Sequence, residues 1–428
     1  MTIKALIIAE AANPEWVSVP LVGWSLANAL RKVTHVHLVT QVRNREAILK
    51  FGLVEGRDFT AIDAEAIARP MSRLTTALIG RRGVGWTTGT AIFALSYYYF
   101  EWLLWRRFGA AIKRGEYDIV HRVTPLSPTT PSIIASKCQR AGVPFVVGPL
   151  NGGVPWPKGF DTARRKEREW LSYVRGAYRL LPGYKSTLKS AAALLIGSRD
   201  TLLQTPAAFH YKCVYIPENA IDPDKFSRGL VANSGRSLRA CFIGRLVPYK
   251  GPDILLEALE PLLREGSIHL DILGDGPMMP ALRDFIATKG LTASVTLHGW
   301  VDHRGLQDIM VKSQLLTFPS IREFGGGVVL EAMALGLVPV IVDYGGPAEL
   351  VNSETGVKVP IGHRNDIIVN FRQAVSELCR EPQHIPAMSQ KAKTRVQALF
   401  TWDVKAAQVV KVYDWVLRTQ SGKPSFFQ

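Results

Sequence analysis

The sequence predicts an α/β protein made of two Rossmann-like domains in succession, with a cleft between them. Three observations carry this expectation. Short apolar runs that read as strands alternate with longer periodic runs that read as helices, the signature of a parallel sheet covered on both faces. A polar stretch, SRGLVANSGRS at residues 227–237, interrupts the series, and a second alternation of similar size follows it. Glycines and charges gather where the strands end, which is where open α/β sheets hold ligands.

In chain order, KALIIAE (4–10) reads as a strand, SVPLVGWSLANALRKV (18–33) as a helix and THVHLVT (34–40) as a strand. YDIVHRV (117–123), a helix over 131–141, PFVVGPL (144–150) and AALLIGS (192–198) complete the first series. The second runs through LRACFIGRL (238–246), a helix over 253–264, IHLDILGDG (268–276), a helix over 278–289, VTLHGWV (295–301) and LLTFPS (315–320). It ends with a helix from Val328, the strand VPVIV (338–342) and C-terminal helices. The expected domains are 1–215 and 216–402, with a last segment, about 403–428, returning to complete the first.

Composition narrows the function classes. A chain of 428 residues can bury two sizeable cores, and 47% hydrophobic with 21% charged residues is a globular mixture. Four scattered cysteines without CxxC spacing exclude a disulfide scaffold and a zinc ribbon, and they lead us to expect a reducing compartment, the cytoplasm. The apolar run at the N-terminus suits a first strand and is too short for a signal peptide. No repeat occurs at solenoid periods. A net charge of +16 predicts an anionic partner.

That charge is concentrated. Residues 69–114 carry eight Lys or Arg against Glu101 alone, and residues 161–190 carry eight against three acids. Inside the first patch lies the most apolar run, WTTGTAIFALSYYYFEWLLW, Trp86 to Trp105. Its length is near the ~20 residues that span a bilayer. Against a span stand Glu101, three threonines, and arginine pairs at both ends that encode no inside-outside asymmetry. A buried or half-buried helix, an interfacial helix that docks on a membrane and, least favoured, a true span are the readings left open.

Candidate chemistry lies mostly in the second half. Arg245 and Lys250 flank the turn after CFIGRL, just before a helix start near Asp253. Two cations beside a helix N-terminus suit a pyrophosphate, although surface cations on an ordinary connection would look the same. In REFGGGVVLE, Gly325, Gly326 and Gly327 fall at a helix N-terminus, where the first N–H groups lack internal partners and the missing side chains let a ligand approach. Glu331, one turn into that helix, is placed to accept hydrogen bonds from vicinal hydroxyls, and Glu323 precedes the glycines. Two carboxylates could also serve glycoside hydrolysis. A hydrolase, however, has no use for a phosphate cradle between its acids. In the first half, His121 ends a strand, and Asn151, Gly152 and Gly153 form a second glycine loop.

GRLVPYKGPDILLEAL, LGDGP, LHGWV and PSIREFGGGVVLEAMALGLVPVIVDYGGPAELV resemble, in order and spacing, the retaining glycosyltransferases of family 4, whose fold is GT-B. Glu323 and Glu331 form the Glu-x7-Glu pair of that family. The resemblance is strong over about 215–360 and looser elsewhere. It implies a nucleotide-diphosphate sugar donor bound by the second domain: Arg245 and Lys250 on the diphosphate with N–H groups around Gly325–Gly327, Glu331 on the ribose, and Glu323 on the donor sugar. Gly345 and Gly346 would wall the site, no metal or other cofactor would be needed, and the acceptor would be a saccharide or a lipid-linked hydroxyl. His121 is similar to the family histidine near the donor sugar, although its usual second histidine is Val123 here. The family's glycine pair after the first strand falls at Val17-Ser18.

Three readings follow from the sequence. The first is a retaining hexosyltransferase in polysaccharide or glycolipid assembly, cytoplasmic or peripheral at the inner face of a membrane. The second is a sugar-nucleotide epimerase or phosphorylase of the same fold. The third is a basic membrane-binding protein with a vestigial site. Nucleic acid is not expected, since no RNA-binding motif or repeat of stacking aromatics is present.

Overall fold

The computed structural model describes residues 2–66, 86–161, 179, 181–226, 228–231 and 237–427, with side chains left aside at 86–95, 303 and 304. Most of the basic stretches at 69–85 and 164–178, and much of the polar stretch 227–237, lie outside these residues. The chain divides into two compact units. Unit 1 comprises 1–153, 168–218 and 402–428, and unit 2 comprises 154–167 and 219–401. Residues 154–161, expected in the first domain, are grouped with unit 2.

Unit 1 holds a seven-stranded parallel sheet. Its strands are β1 (Lys4–Ala9), β2 (His35–Gln41), β3 (Phe59–Ile62), β4 (Ile119–Thr124), β5 (Phe145–Leu150), β6 (Ala193–Ile196) and β7 (Cys213–Tyr215), in the order β3-β2-β1-β4-β5-β6-β7. Alternate residues of β1 face opposite sides, as the pleat requires. Ala5, Ile7 and Ala9 pack under α1 (Val19–Arg31) and the C-terminal helix Trp402–Val416. Leu6 and Ile8 pack under a long helix, α2 (Trp86–Lys113), with α3 (Ala135–Arg140) and α4 (Tyr184–Ser190) beside it. Both faces are covered, so the central strands are buried along most of their length, including the polar His121, Arg122 and Thr124 of β4.

The half-buried reading of Trp86–Trp105 fits α2 from Ser96 onward. Tyr97, Phe100, Leu104, Phe108 and Ile112 enter the core at helical spacing. Glu101 lies on the same inward face, fully buried, and its carboxylate accepts from the Ile133 N–H at 2.6 Å and from Ser132 Oγ. Burial still raises its pKa. The acid that argued against a span thus satisfies the backbone entering α3. Among the described residues no helix is long and apolar enough to cross a membrane.

Unit 2 holds a six-stranded parallel sheet of β8 (Leu238–Ile243), β9 (Ile268–Leu273), β10 (Val295–Gly299), β11 (Leu315–Phe318), β12 (Val338–Val342) and β13 (Val357–Val359). Their order is β10-β9-β8-β11-β12-β13. From β8 the chain builds outward through β9 to β10, then returns to β8's other side with β11. The principal helices are α5 (Pro252–Arg264), α6 (Gly327–Leu335) and α7 (Arg364–Arg380). Two α/β units of this kind constitute the two-domain GT-B fold.

Candidate functional site

The strand order of unit 2 reverses between β8 and β11, so the loops after these two strands diverge at a topological switch point. The loop after β8 is compact because glycine permits backbone contacts. Gly244 and Gly274 have φ of 153° and 144°, and a Cβ on Gly274 would lie 1.9 Å from the Gly244 carbonyl oxygen. The LGDGP turn is therefore a packing device that lets the ends of β8 and β9 touch. Tyr249 then joins this loop to the end of β11, its carbonyl accepting from the Ile321 N–H at 2.9 Å and from Ser320 Oγ at 3.2 Å.

Those loops bring the predicted residues together. Lys250 donates to Glu323 in a partly buried ion pair, with its ammonium 4.9 Å over the Phe318 ring. Arg245, on the same loop, is exposed. Gly326 adopts a left-handed conformation (φ 60°) at the start of α6, with no side-chain cap, and Gly327 opens the helix. The N–H groups of that first turn are thus left without a capping side chain next to Glu323. Glu331 is half-buried one turn further on. Asn219, which sequence reasoning did not single out, lies at the same helix end; its amide would be 3.7 Å from a Cβ on Gly327.

A second glycine pair sets the opposite wall. The Gly346 N–H donates to the Glu323 carbonyl at 3.0 Å, and a Cβ on Gly346 would fall 2.0 Å from the Phe324 carbonyl oxygen. The DYGGP turn after β12 therefore packs directly on the loop that carries Glu323 to Gly325.

Residues 154–159 form a strap on this group. The Val154 carbonyl accepts from Arg322 Nε at 3.0 Å, and the Pro155 carbonyl accepts from the Tyr344 hydroxyl at 3.0 Å. The Arg322 guanidinium, nearly fully buried, lies between the rings of Trp156 (5.0 Å) and Phe324 (5.3 Å). Trp156 also meets Tyr249 edge-on at 6.3 Å. Sequence reasoning stopped at the glycine loop of Asn151 to Gly153 and gave no role to the VPWPKGF that follows it. The proline-bracketed tryptophan was the signal that it docks on something. Behind the site, Arg364 at the start of α7 binds Asp253 and Glu257 of α5 at 2.9 and 2.5 Å, which raises its pKa.

In unit 1, His121 differs from the expectation. It is fully buried, with Nε2 2.7 Å from the Gly148 carbonyl and Nδ1 2.6 Å from the Tyr413 hydroxyl. A carbonyl only accepts, so Nε2 carries the proton and Nδ1 accepts from tyrosine. Burial, the main cause, pushes the imidazole down to about 4. Both nitrogens are committed to tying β4 to β5 and to the C-terminal helix, and neither is offered to a ligand. Asn151 donates to Glu218, and the Gly152 N–H to Thr201 Oγ1 at 2.8 Å, so this glycine loop is held by its own unit. Ser18 opens α1 with φ 63° and ψ −137°, a region that glycine occupies freely and other residues rarely do. The position where the family carries glycine keeps a glycine-like backbone under a serine side chain. Trp16, Val17 and Val19 around it are exposed.

Fold and loop geometry thus describe a GT-B protein whose second unit gathers Arg245, Lys250, Glu323 and the start of α6 in one loop cluster. The family described as glycosyl transferases group 1 matches residues 237–381, which lie within that unit. The α-D-kanosaminyltransferase of Streptomyces kanamyceticus is 27% identical over 237 residues, covering 53% of this chain and 60% of that protein. The match therefore spans less than two thirds of this curated relative. Among solved structures, a glycosyltransferase of Rickettsia africae superposes with a TM-score of 0.63 at 14% identity, over 98% of this chain and 100% of that one. HepE of Anabaena, solved with UDP, gives 0.60 at 14% identity, over 96% and 100%. At these identities the likeness establishes the fold.

Proposed function

We propose that this protein is a retaining glycosyltransferase of family 4 that moves a hexosyl group from a nucleotide-diphosphate sugar to an acceptor hydroxyl in polysaccharide or glycolipid assembly. The observation that carries the reading is the convergence of Lys250, Glu323 and the uncapped start of α6 at the β8/β11 switch point. A cation, a carboxylate and free N–H groups within one loop cluster match a diphosphate joined to a sugar. The group 1 match and the kanosaminyltransferase relative support glycosyl transfer, and HepE makes a uridine diphosphate sugar the first donor to test.

In this proposal the diphosphate displaces Lys250 from Glu323. Lys250, Arg245 and the N–H groups of Gly325 to Gly327 then stabilise charge developing on the leaving phosphate, an effect that grows in a preorganised, water-poor site. Glu331 accepts from the ribose hydroxyls, and the released Glu323 carboxylate accepts from the sugar being moved. The bond from the anomeric carbon to the diphosphate oxygen breaks as the acceptor oxygen attacks from the same face. The acceptor's proton passes to the leaving phosphate oxygen. His121 takes no part, because its nitrogens are engaged elsewhere. The cations do the work that a metal does in other transferases, so chelation should leave turnover unchanged.

The test is nucleotide release from a panel of sugar donors, with and without a saccharide acceptor. Acceptor-dependent release of free nucleotide supports transfer. Isomerised sugar nucleotide with no free nucleotide would establish an epimerase instead.

A further inference from the structure

The outward face of α2 has no use in the donor site. Trp102, Arg106 and Lys113 are exposed along it at helical spacing, opposite the buried Tyr97, Phe100, Leu104 and Ile112, while Tyr99 and Leu103 beside them are half-buried and also touch the core. Trp102 is 43% exposed, an unusual position for the largest apolar side chain. It stacks on Tyr99 with ring centroids 5.7 Å apart, and the Arg106 guanidinium lies 4.8 Å over it. Trp105 lies along the helix surface, where a Cβ on Gly109 would come within 2.9 Å of its ring, and Lys137 of α3 reaches to 5.1 Å above it.

Within these helices the exposed charges have one sign, although Glu116 just past α2 pairs with Arg114. Arg106, Arg107 and Lys113 of α2 are exposed, as are Lys185 and Lys189 of α4. From Ser96 to the end of α2, and throughout α3 and α4, the only acid is Glu101, which is buried against Ser132 and Ile133. A solvated helix face would mix both signs for solubility. The three helices form one side of the sheet, joined through the Tyr98 hydroxyl on the Pro182 carbonyl (2.8 Å) and the shared core.

We infer that this face of unit 1 is a docking surface for a lipid bilayer bearing anionic headgroups. Tyr and Trp side chains settle at the headgroup level, where one end of each is apolar and the other wet. Amines and guanidinium groups around them complement the negative surface potential of an anionic leaflet. The exposed side chains lie on the convex outside of a helix, a shape that meets a plane and does not enclose a strand of nucleic acid. Among the described residues no helix spans, so the proposed attachment is peripheral and reversible. The inference stands apart from the transfer reading, since none of these residues belongs to the donor site.

Co-sedimentation of the full chain with phosphatidylcholine vesicles, with and without phosphatidylglycerol and without any donor, tests it. Binding to the anionic vesicles alone is expected, weakening as salt rises. Each cation near an anionic surface is worth roughly fivefold in partitioning. Arg106→Glu with Arg107→Glu should therefore lower binding by at least about twenty-five-fold. Tyr99→Ser with Trp102→Ser should remove the part that resists salt. Melting temperatures and nucleotide release by these variants should match the wild type, separating a failure here from a failure of the transfer reading. Equal binding to neutral vesicles, wild-type binding by the charge-reversed variant, or equally tight binding to single-stranded DNA would overturn the proposal.

Discussion

His121 in unit 1 and Lys250 in unit 2 are both basic side chains near the ends of central strands, and the resemblance gave both to the donor. The structure treats them differently. His121 is buried, holds two short hydrogen bonds inside its own unit, and has a pKa pressed down to about 4. Lys250 is partly exposed, and its main partner, Glu323, is itself a proposed site residue. A polar group with every bond satisfied by the fold is an architectural element. A charge paired with a neighbour that a ligand would also want is poised to exchange. The distinction is between internal and exchangeable partners, and it can be tested at both places.

The largest effect is expected from Lys250→Ala or Glu331→Ala. Losing one charged or oxyanion-type contact to a leaving group typically costs on the order of a hundred- to a thousandfold in turnover. Nucleotide-release rates should fall by that much with melting unchanged, whereas full activity in either variant would break the site assignment. Gly346→Ala comes next. Its Cβ would fall 2.0 Å from the Phe324 carbonyl oxygen, so the Glu323 loop must move. We expect a destabilisation of about 1–3 kcal/mol together with lost donor binding, read by thermal melting and titration.

Tyr413→Phe sharpens the other side of the comparison. It leaves His121 Nδ1 buried without a donor, a loss of about 1–3 kcal/mol in stability with donor affinity unchanged. The same histidine gives a pH dependence. Its folded pKa lies below the unfolded value of about 6.5, so the unfolded state binds more protons between about pH 6.5 and about pH 4. Stability should fall as pH drops through that window, and His121→Gln should flatten the slope in denaturant unfolding. Ser18→Gly should act least and in the opposite direction. It removes a side chain from a positive-φ position and should raise stability by roughly 1 kcal/mol. A lower melting temperature would mean that the serine hydroxyl holds the loop.

Much of this was legible because local pattern and fold agree. Long apolar runs gave the central strands to within three residues at either end, and the glycines of REFGGG marked the start of α6. The short strands β3, β7 and β13, of four, three and three residues, were not legible. They lack the continuous apolar run that made the similarly short β6 and β11 readable, and they form where a neighbouring strand supplies hydrogen bonds. The helix read over 131–141 is regular only from Ala135, because Glu101, far away in sequence, holds the N–H groups before it. Motif spacing proposed both Lys250 and Glu323 but not their pairing, which comes from two loops that converge only in the fold. The strap at 154–159 was missed for the same reason, since nothing in VPWPKGF names Arg322 or Tyr344 as its partners. His121 was misread because the end of a strand does not reveal which face of the sheet, or which distant helix, its side chain meets.

The central claim is that Lys250 exchanges Glu323 for a diphosphate. It is tested most directly by thermal unfolding of the wild type and Lys250→Ala with a panel of nucleotide sugars, beginning with uridine diphosphate sugars. A donor at a hundredfold excess over its Kd should stabilise the wild type by about 2.7 kcal/mol. The same donor should stabilise the variant far less. Equal stabilisation of the two proteins, or none in the wild type with any nucleotide sugar, would contradict the account.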